Sequence, residues 1–238
     1  MQTQNALTVR ALVAGNPAAA RVFEKYGIDY CCGGEKSLAE ACVAAKARID
    51  DVKAALEALV PEAGDRDWQK APLGELTAHI VTKHHGFTRD GINRLVPLLT
   101  KVIGVHGQNH PELNQVRSLF QELGDELTMH MMKEERMLFP YIEQLEASMK
   151  RGSPPAPPMF GTVQNPVRMM MMEHDSAGDV LHRMREITAG YAVPADACVS
   201  YQALYAALQE FEADLHQHIH LENNILFPRA IELESRAF

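Results

Sequence analysis

Aromatic residues are scarce in this sequence, at 6% of the chain with a single tryptophan. Runs of β-branched or aromatic side chains are few, which leaves little from which to build extended strands. No stretch approaches the roughly 20 consecutive apolar residues that cross a bilayer. The amino-terminal MQTQNALTVR has no apolar core segment of the secretory kind. No stripe of lysine and arginine is present, and the formal net charge is −8. Phosphate backbones are bound by clustered cations, so nucleic acid is excluded as the main partner. The four cysteines, Cys31, Cys32, Cys42 and Cys198, have the spacing neither of a disulfide framework nor of a zinc-binding CxxC pair. The expectation is therefore a cytoplasmic protein in a reducing compartment, with no membrane partner.

What the chain does have is helix-forming material. Ala, Leu, Glu and Lys dominate, and 46% of residues are hydrophobic, enough for a sizeable core. Residues 1–62 read as a small helical domain. Asn16-Pro17 resembles an N-cap followed by a first-turn proline. Gly27 and the Gly33-Gly34 pair interrupt the pattern, Ser37 with Glu40 forms a capping box, and Asp50 is the expected cap of a last helix that ends near Pro61. A polar linker, PEAGDRDWQKA (61–71), comes next. Residues 72–238 then carry periodic segments at about 72–103, 111–149, 163–190 and 196–235. The proline-rich RGSPPAPPMFG (151–161) cannot be helical and reads as a crossover, partly polyproline II. The fold class is all-α: a four-helix bundle preceded by a small helical domain.

One pattern occurs twice. His130-Met-Met-Lys-Glu134 leads to Leu138-Phe139-Pro140, and His218-Ile-His-Leu-Glu222 leads to Leu226-Phe227-Pro228. Each copy of H-x-x-x-E-x-x-x-L-F-P has a histidine at a matching distance upstream, His85 for the first and His174 for the second. This is the signature of a duplicated helix pair. The apolar positions around these residues alternate by threes and fours. Val81, His85, Thr88, Ile92, Leu95 and Leu99 share one stripe. Val116, Phe120, Leu123, Leu127, His130, Glu134, Met137 and Tyr141 share the next. Val167, Met170, His174, Ala177, Leu181 and Met184 form the third, and Leu204, Leu208, Phe211, Leu215, His218, Glu222 and Ile225 the fourth. Such stripes are the seams of bundled helices.

The histidines and glutamates therefore point inward. A lone inward histidine is more often a hydrogen-bonded core residue than a ligand, but two copies agreeing on four seams are not lone. An ionised glutamate in a core is costly unless it is paired or metal-bound. His85, His130, Glu134, His174, His218 and Glu222 together suit a two-metal site in a bundle core. Imidazole and carboxylate without thiolate fit iron or manganese, and zinc less specifically. If both glutamates bridge and an oxo or hydroxo group joins the metals, about one position per metal stays open, given about six ligands each.

The other histidines rank lower. His84 falls off the seam, and His216 and His220 cannot share the face of His218, so they read as solvated or as supports for the ligands. His79, His106, His110 and His182 read as surface residues. Glu126, one turn before His130, and Glu173, beside His174, read equally as solvated charges or as groups that orient a ligand and relay protons. Cys31 and Cys32, flanked by glycines, read equally as small residues at a turn or as an exposed, reactive dithiol near a helix N-terminus.

The stretches HMMKEERMLFP, EHDSAG, HIHLENNILFP and DWQKAPLGELTAHI resemble the hemerythrin-like domain. The YGIDYCCGG ahead of them resembles the short domain that precedes it in the RIC (repair of iron centres) family. The resemblance covers essentially the whole chain. It implies two non-haem iron ions with an oxo or hydroxo bridge, held by the six residues above, with Glu134 and Glu222 bridging. It also implies a stress role in which iron–sulfur proteins damaged by nitric oxide or oxidants are the partners. Some members are described as binding or reducing nitric oxide, a small diatomic ligand. A homodimer is compatible with this reading. Compared with oxygen-carrying hemerythrins one histidine is missing, which argues against reversible oxygen carriage.

Overall fold

The computed structural model describes residues 7–16, 18–31, 33–59, 66–152 and 156–237. They form an all-α protein, and one isolated bridge between Thr8 and Ser37 is the extent of β pairing among them. Pro17, Cys32, Pro61 and part of the proline-rich crossover lie outside the described residues. Two compact units are present, one drawn from 1–77, 145–155 and 216–238, the other from 78–144 and 156–215.

In the first unit, four short helices close around an apolar cluster: α1 (Val9–Gly15), α2 (Ala19–Lys25), α3 (Leu38–Ala44) and α4 (Ile49–Glu57). Val9, Val13, Phe23, Ile28, Tyr30, Leu38 and Val52 form its centre. The glycine at 27 has a backbone reason: α2 ends in a left-handed turn with Gly27 at φ 64. The Ile28 N–H reaches Phe23 O and the Gly27 N–H reaches Glu24 O, the paired bonds of a Schellman ending. The Ser37–Glu40 capping box is present in full.

Two caps differ from expectation. Asp50 lies within the first turn of α4, where it faces the positive end of the helix dipole, and Arg48 holds the cap position. That helix ends at Glu57. Asn16 closes α1 through its backbone N–H to Leu12 O, while its side chain accepts from the Ala18 N–H ahead of α2.

Beyond the linker, the expected periodic segments are long and nearly continuous helices. The first is α5 (Leu73–His79) running through a π-helical turn (Ile80–His85) into α6 (Gly86–His106). The second is α7 (Glu112–Lys133), a π-turn (Glu134–Leu138) and α8 (Phe139–Arg151). The third is α9 (Gln164–Ile187), and the last is α10 (Val199–Leu221), a π-turn (Glu222–Leu226) and α11 (Phe227–Ala237). In the second unit, α6 and α9 both pack on α7. Phe211 of α10 meets Phe120 of α7 edge-on, with ring centroids 5.2 Å apart. It also presses on α6 at Gly91, where a Cβ would stand 2.7 Å from its ring. Only glycine fits that close approach.

The π-turns are the feature periodicity did not anticipate. In two of them the Phe-Pro pair supplies the reason. Pro140 and Pro228 lack an N–H and crowd the carbonyl four residues back, which disfavours a regular α turn there. The Phe139 N–H bonds to Glu134 O and the Phe227 N–H to Glu222 O, five residues back in each case. One extra residue in a turn rotates the remainder of the helix by about 100°. Met137, expected on the inner stripe, is consequently 54% exposed, and Leu138 is 1% exposed in its place.

Candidate metal centre

All six expected ligands are buried. His130 and Glu134 sit one turn apart where α7 passes into its π-turn, and His218 and Glu222 do the same at the end of α10. His130 Nε2 is 3.3 Å from Glu134 Oε2, and His85 Nε2 is 3.4 Å from the same oxygen. His174 Nε2 stands 3.0 Å from His130 Nε2. His218 Nε2 is 3.0 Å from Glu222 Oε1. Two donor groups result: His85, Glu134, His218 and Glu222, and His130, Glu134, His174 and Glu222. Within each group one ligand atom per residue lies within 4.8 Å of all the others. Glu134 and Glu222 belong to both.

The outward-facing ring nitrogens decide what the inward ones can do. His85 Nδ1 is 2.6 Å from Glu135 Oε1, and Arg89 donates to that oxygen at 2.5 Å. His130 Nδ1 is 2.8 Å from Glu173 Oε2, and Glu173 also pairs with Lys133. A neutral imidazole that donates from Nδ1 presents a lone pair at Nε2. Two such lone pairs facing one carboxylate oxygen in a dry core repel it unless a cation stands between them. The donor set thus fits a metal ion, and the Nδ1 partners fix the ring tautomers as carboxylates do around bound metals.

The carboxylates are tuned accordingly. The bond from His130, against the opposing effect of burial and with help from Lys133, holds the Glu173 carboxyl down at about 2. Burial would raise Glu135, but the bonds from His85 and Arg89 outweigh it and keep that carboxyl low. Glu173 thus touches one of the clustered histidines. Glu126 is exposed, and no hydrogen bond joins it to a histidine among the described residues; it is a solvated helix charge.

Sequence reasoning missed Glu135, whose role depends on the rotation of α6 against α7. It is the acid directly after Glu134, and that doubled acid was the only signal for it. His84 is buried rather than off the seam. The widened turn at Ile80–His85 leaves both histidines inside, and His84 Nδ1 bonds Asp214 at 3.0 Å. His220 is buried too, not solvated. Desolvation pushes it down to about 4, and its Nδ1 accepts from Asn224 at 2.9 Å. His216 meets Tyr30 edge-on. His106, expected at the surface, is buried against Tyr201. His110 bridges Glu112 and Asp196, and these acids raise its pKa. His182 is exposed.

Cys31, read equally as a small turn residue or as an exposed dithiol, lacks the exposure that the second reading requires. It is buried, not exposed, and no helix starts at it, because α3 begins only at Leu38. Its thiol and its backbone N–H both donate to Asp29 Oδ1, at 3.3 and 3.0 Å. The adjacent Cys32 lies outside the described residues. Cys31, Cys42 and Cys198 are free thiols. No helix among the described residues is long and apolar enough to cross a membrane.

Known proteins match this arrangement in both parts of the chain. Residues 5–60 match a domain of unknown function (DUF542). The iron-sulfur cluster repair protein YtfE of Enterobacter sp. (strain 638) is 37% identical over 220 residues, covering 92% of this chain and 94% of the relative. The protein of the same name from Escherichia coli O81 (strain ED1a) is 37% identical over 215 residues, covering 90% and 92%. Residues 76–230, which carry all six of the clustered histidines and glutamates, match the hemerythrin HHE cation binding domain, and the chain belongs to that family.

Proposed function

We propose that the protein is a di-iron protein that repairs iron–sulfur clusters damaged by nitrosative or oxidative stress. The observation that carries the reading is the presence of Glu134 and Glu222 in both donor groups. A carboxylate has two oxygens and can serve two cations at once. His85 and His218 would complete one position, His130 and His174 the other, around two non-haem iron ions with an oxo or hydroxo bridge. Iron bound there would supply open coordination for a small ligand such as nitric oxide, or an ion for transfer to a damaged cluster. Glu135 and Glu173 hold the histidines in the tautomer that binds. The relatives' name and the dual match, over residues 5–60 and 76–230, support repair over oxygen carriage. The reading places the protein in the cytoplasm, with damaged iron–sulfur proteins as its partners.

The test is reconstitution. Full-length protein loaded anaerobically with ferrous iron should contain about two irons per chain by elemental analysis and a coupled pair by Mössbauer spectroscopy. It should then restore activity to a nitrosylated iron–sulfur dehydratase in vitro. Zinc in the protein as purified from cells, or iron-loaded protein that leaves the damaged enzyme inactive, would overturn the reading. Nitrous oxide release from the reduced protein and nitric oxide alone would move the function to scavenging.

A further inference from the structure

Asn224 stands in the π-turn two residues beyond Glu222, and its buried carboxamide works in every direction. Its Oδ1 accepts from Arg10 Nε at 2.7 Å. Its Nδ2 donates to Tyr30 O at 3.1 Å, to Cys31 O at 3.4 Å and to His220 Nδ1 at 2.9 Å. An amide nitrogen has two hydrogens, so three acceptors means one is shared, and the long bond to Cys31 is the shared one. The Cys31 segment is therefore gripped on both sides. Asn224 holds its carbonyl, and Asp29 holds its thiol and its N–H. Arg10 adds a bond from its backbone N–H to Gly34 O at 2.8 Å and an ion pair with Glu35.

The glycines of the segment have a reason in the same contact. A Cβ at Gly34 would stand 3.2 Å from Asn224 Oδ1 and 3.0 Å from Tyr30 O, and one at Gly33 would stand 2.9 Å from Asp29 Oδ2. The duplicated sequence supplies a control. The position matching Asn224 in the first copy is Arg136, which is exposed. A metal ligand set alone does not call for a buried amide here, since the first copy does without one.

We propose that Asn224 is a positioning residue that ties the Cys31 segment to the turn bearing Glu222, so that the reactivity of the Cys31 thiol follows the metal occupancy of that carboxylate. The coupling rests on the metal reading above. Glu222 and Asn224 share one turn of backbone whose carbonyl at 222 is fixed by the Phe227 N–H. A carboxylate that relaxes when its cation leaves moves that turn, and Asn224 carries the shift to the Tyr30 and Cys31 carbonyls.

The test is alkylation of the full-length protein by iodoacetamide, with and without ferrous iron, read at Cys31, Cys42 and Cys198 by peptide mass spectrometry. In the reaction the thiolate displaces iodide, an S–C bond forms and the thiol proton goes to solvent. Cys31 should react about tenfold faster in the metal-free protein, within the usual range of coupling between sites. Asn224→Ala should react fast in both states and abolish the contrast, while the buried Cys42 stays slow and reports an intact fold. Asn224→Asp, which keeps the Arg10 partner but loses both donors, should behave as Asn224→Ala does. Gly34→Ala disturbs the same contact from the other side and should also abolish the contrast. Equal Cys31 rates in the loaded and empty wild type, or a contrast that survives in Asn224→Ala, would overturn the proposal. Failure to take up iron at all would sink the metal reading instead. Asn224→Ala must then still expose Cys31 in the metal-free protein, or the positioning role falls with it.

Discussion

The turn that carries Glu134 and the turn that carries Glu222 start from the same sequence pattern and end in different surroundings. Both widen into π-helix ahead of a Phe-Pro pair, and in both the phenylalanine N–H holds the carbonyl of the glutamate. The next residues then diverge. After Glu134 come Glu135, which bonds His85, then Arg136 and Met137, both exposed. After Glu222 come Asn223, Asn224, Ile225 and Leu226, all buried, with α1 packed against the turn. The backbone device that places Glu134 and Glu222 is thus present in duplicate, while the adjacent positions do different work. One copy supplies a partner for His85 and faces solvent. The other grips the segment that contains Cys31.

The largest effects should fall where the copies are still equivalent. Glu134→Ala and Glu222→Ala each remove a residue common to both donor groups, so either variant should lose the paired iron, read by elemental and Mössbauer analysis. Full iron retention in one of them would end the symmetric view of the site. One step out, Glu135→Ala and Glu173→Ala leave all six donors in place but free a histidine ring. Each should weaken iron binding about 10- to 100-fold, measured by competition with a chelator. Equal losses would show that the two histidine supports are interchangeable despite their different cations, Arg89 and Lys133.

A smaller contrast tests the divergence itself. Asn224→Ala removes the amide acceptor of Arg10 and the amide bonds to the Tyr30 and Cys31 carbonyls, and should cost about 1–3 kcal/mol of stability. Arg136→Ala, at the matching exposed position, should stay within about 0.5 kcal/mol of wild type. Chemical denaturation of the metal-free proteins would measure both. Similar costs at the two positions would show that the second turn is not specialised.

Much of this was legible in the sequence because it depends on spacing along one helix. The seams, the duplicated His–Glu pairs and the bundle segments come from periodicity, and Val116, Leu181 and Leu215 lie inside as their stripes require. The choice of His85 over His84 came from the repeat, whereas the burial of His84 came from a widened turn that no stripe encodes. Relations across helices were not legible. Glu135 reaching His85, Asp214 reaching His84 and Tyr201 covering His106 depend on how one helix is rotated against another. The sequence left Cys31 open between a turn residue and an exposed thiol for a related reason. Glycines suggest exposure, but here they let the backbone approach Asn224 and Asp29.

The smallest effect concerns the two carboxylates that support the histidines, and pH separates them from the ligands. The Glu173 carboxyl is held from its ordinary value of 4.5 down to about 2, first by His130 and then, against burial, by Lys133. A carboxyl whose pKa is depressed in the folded state contributes stability that is complete above its unfolded value. That contribution is lost as pH falls from about 4.5 toward 2. Glu173 is partly exposed, so solvent screening keeps the contribution modest. In the metal-free protein, Glu173→Gln should therefore lower the melting temperature slightly at pH 6, and the gap should narrow below about pH 4.5 and close only below about pH 2. Glu135→Gln should show the same closing gap, because its carboxyl is also held low. A gap that persists at low pH would mean that the hydrogen-bonding shape of Glu173, not its charge, supports His130. The first copy's supports would then differ in kind from an ion pair.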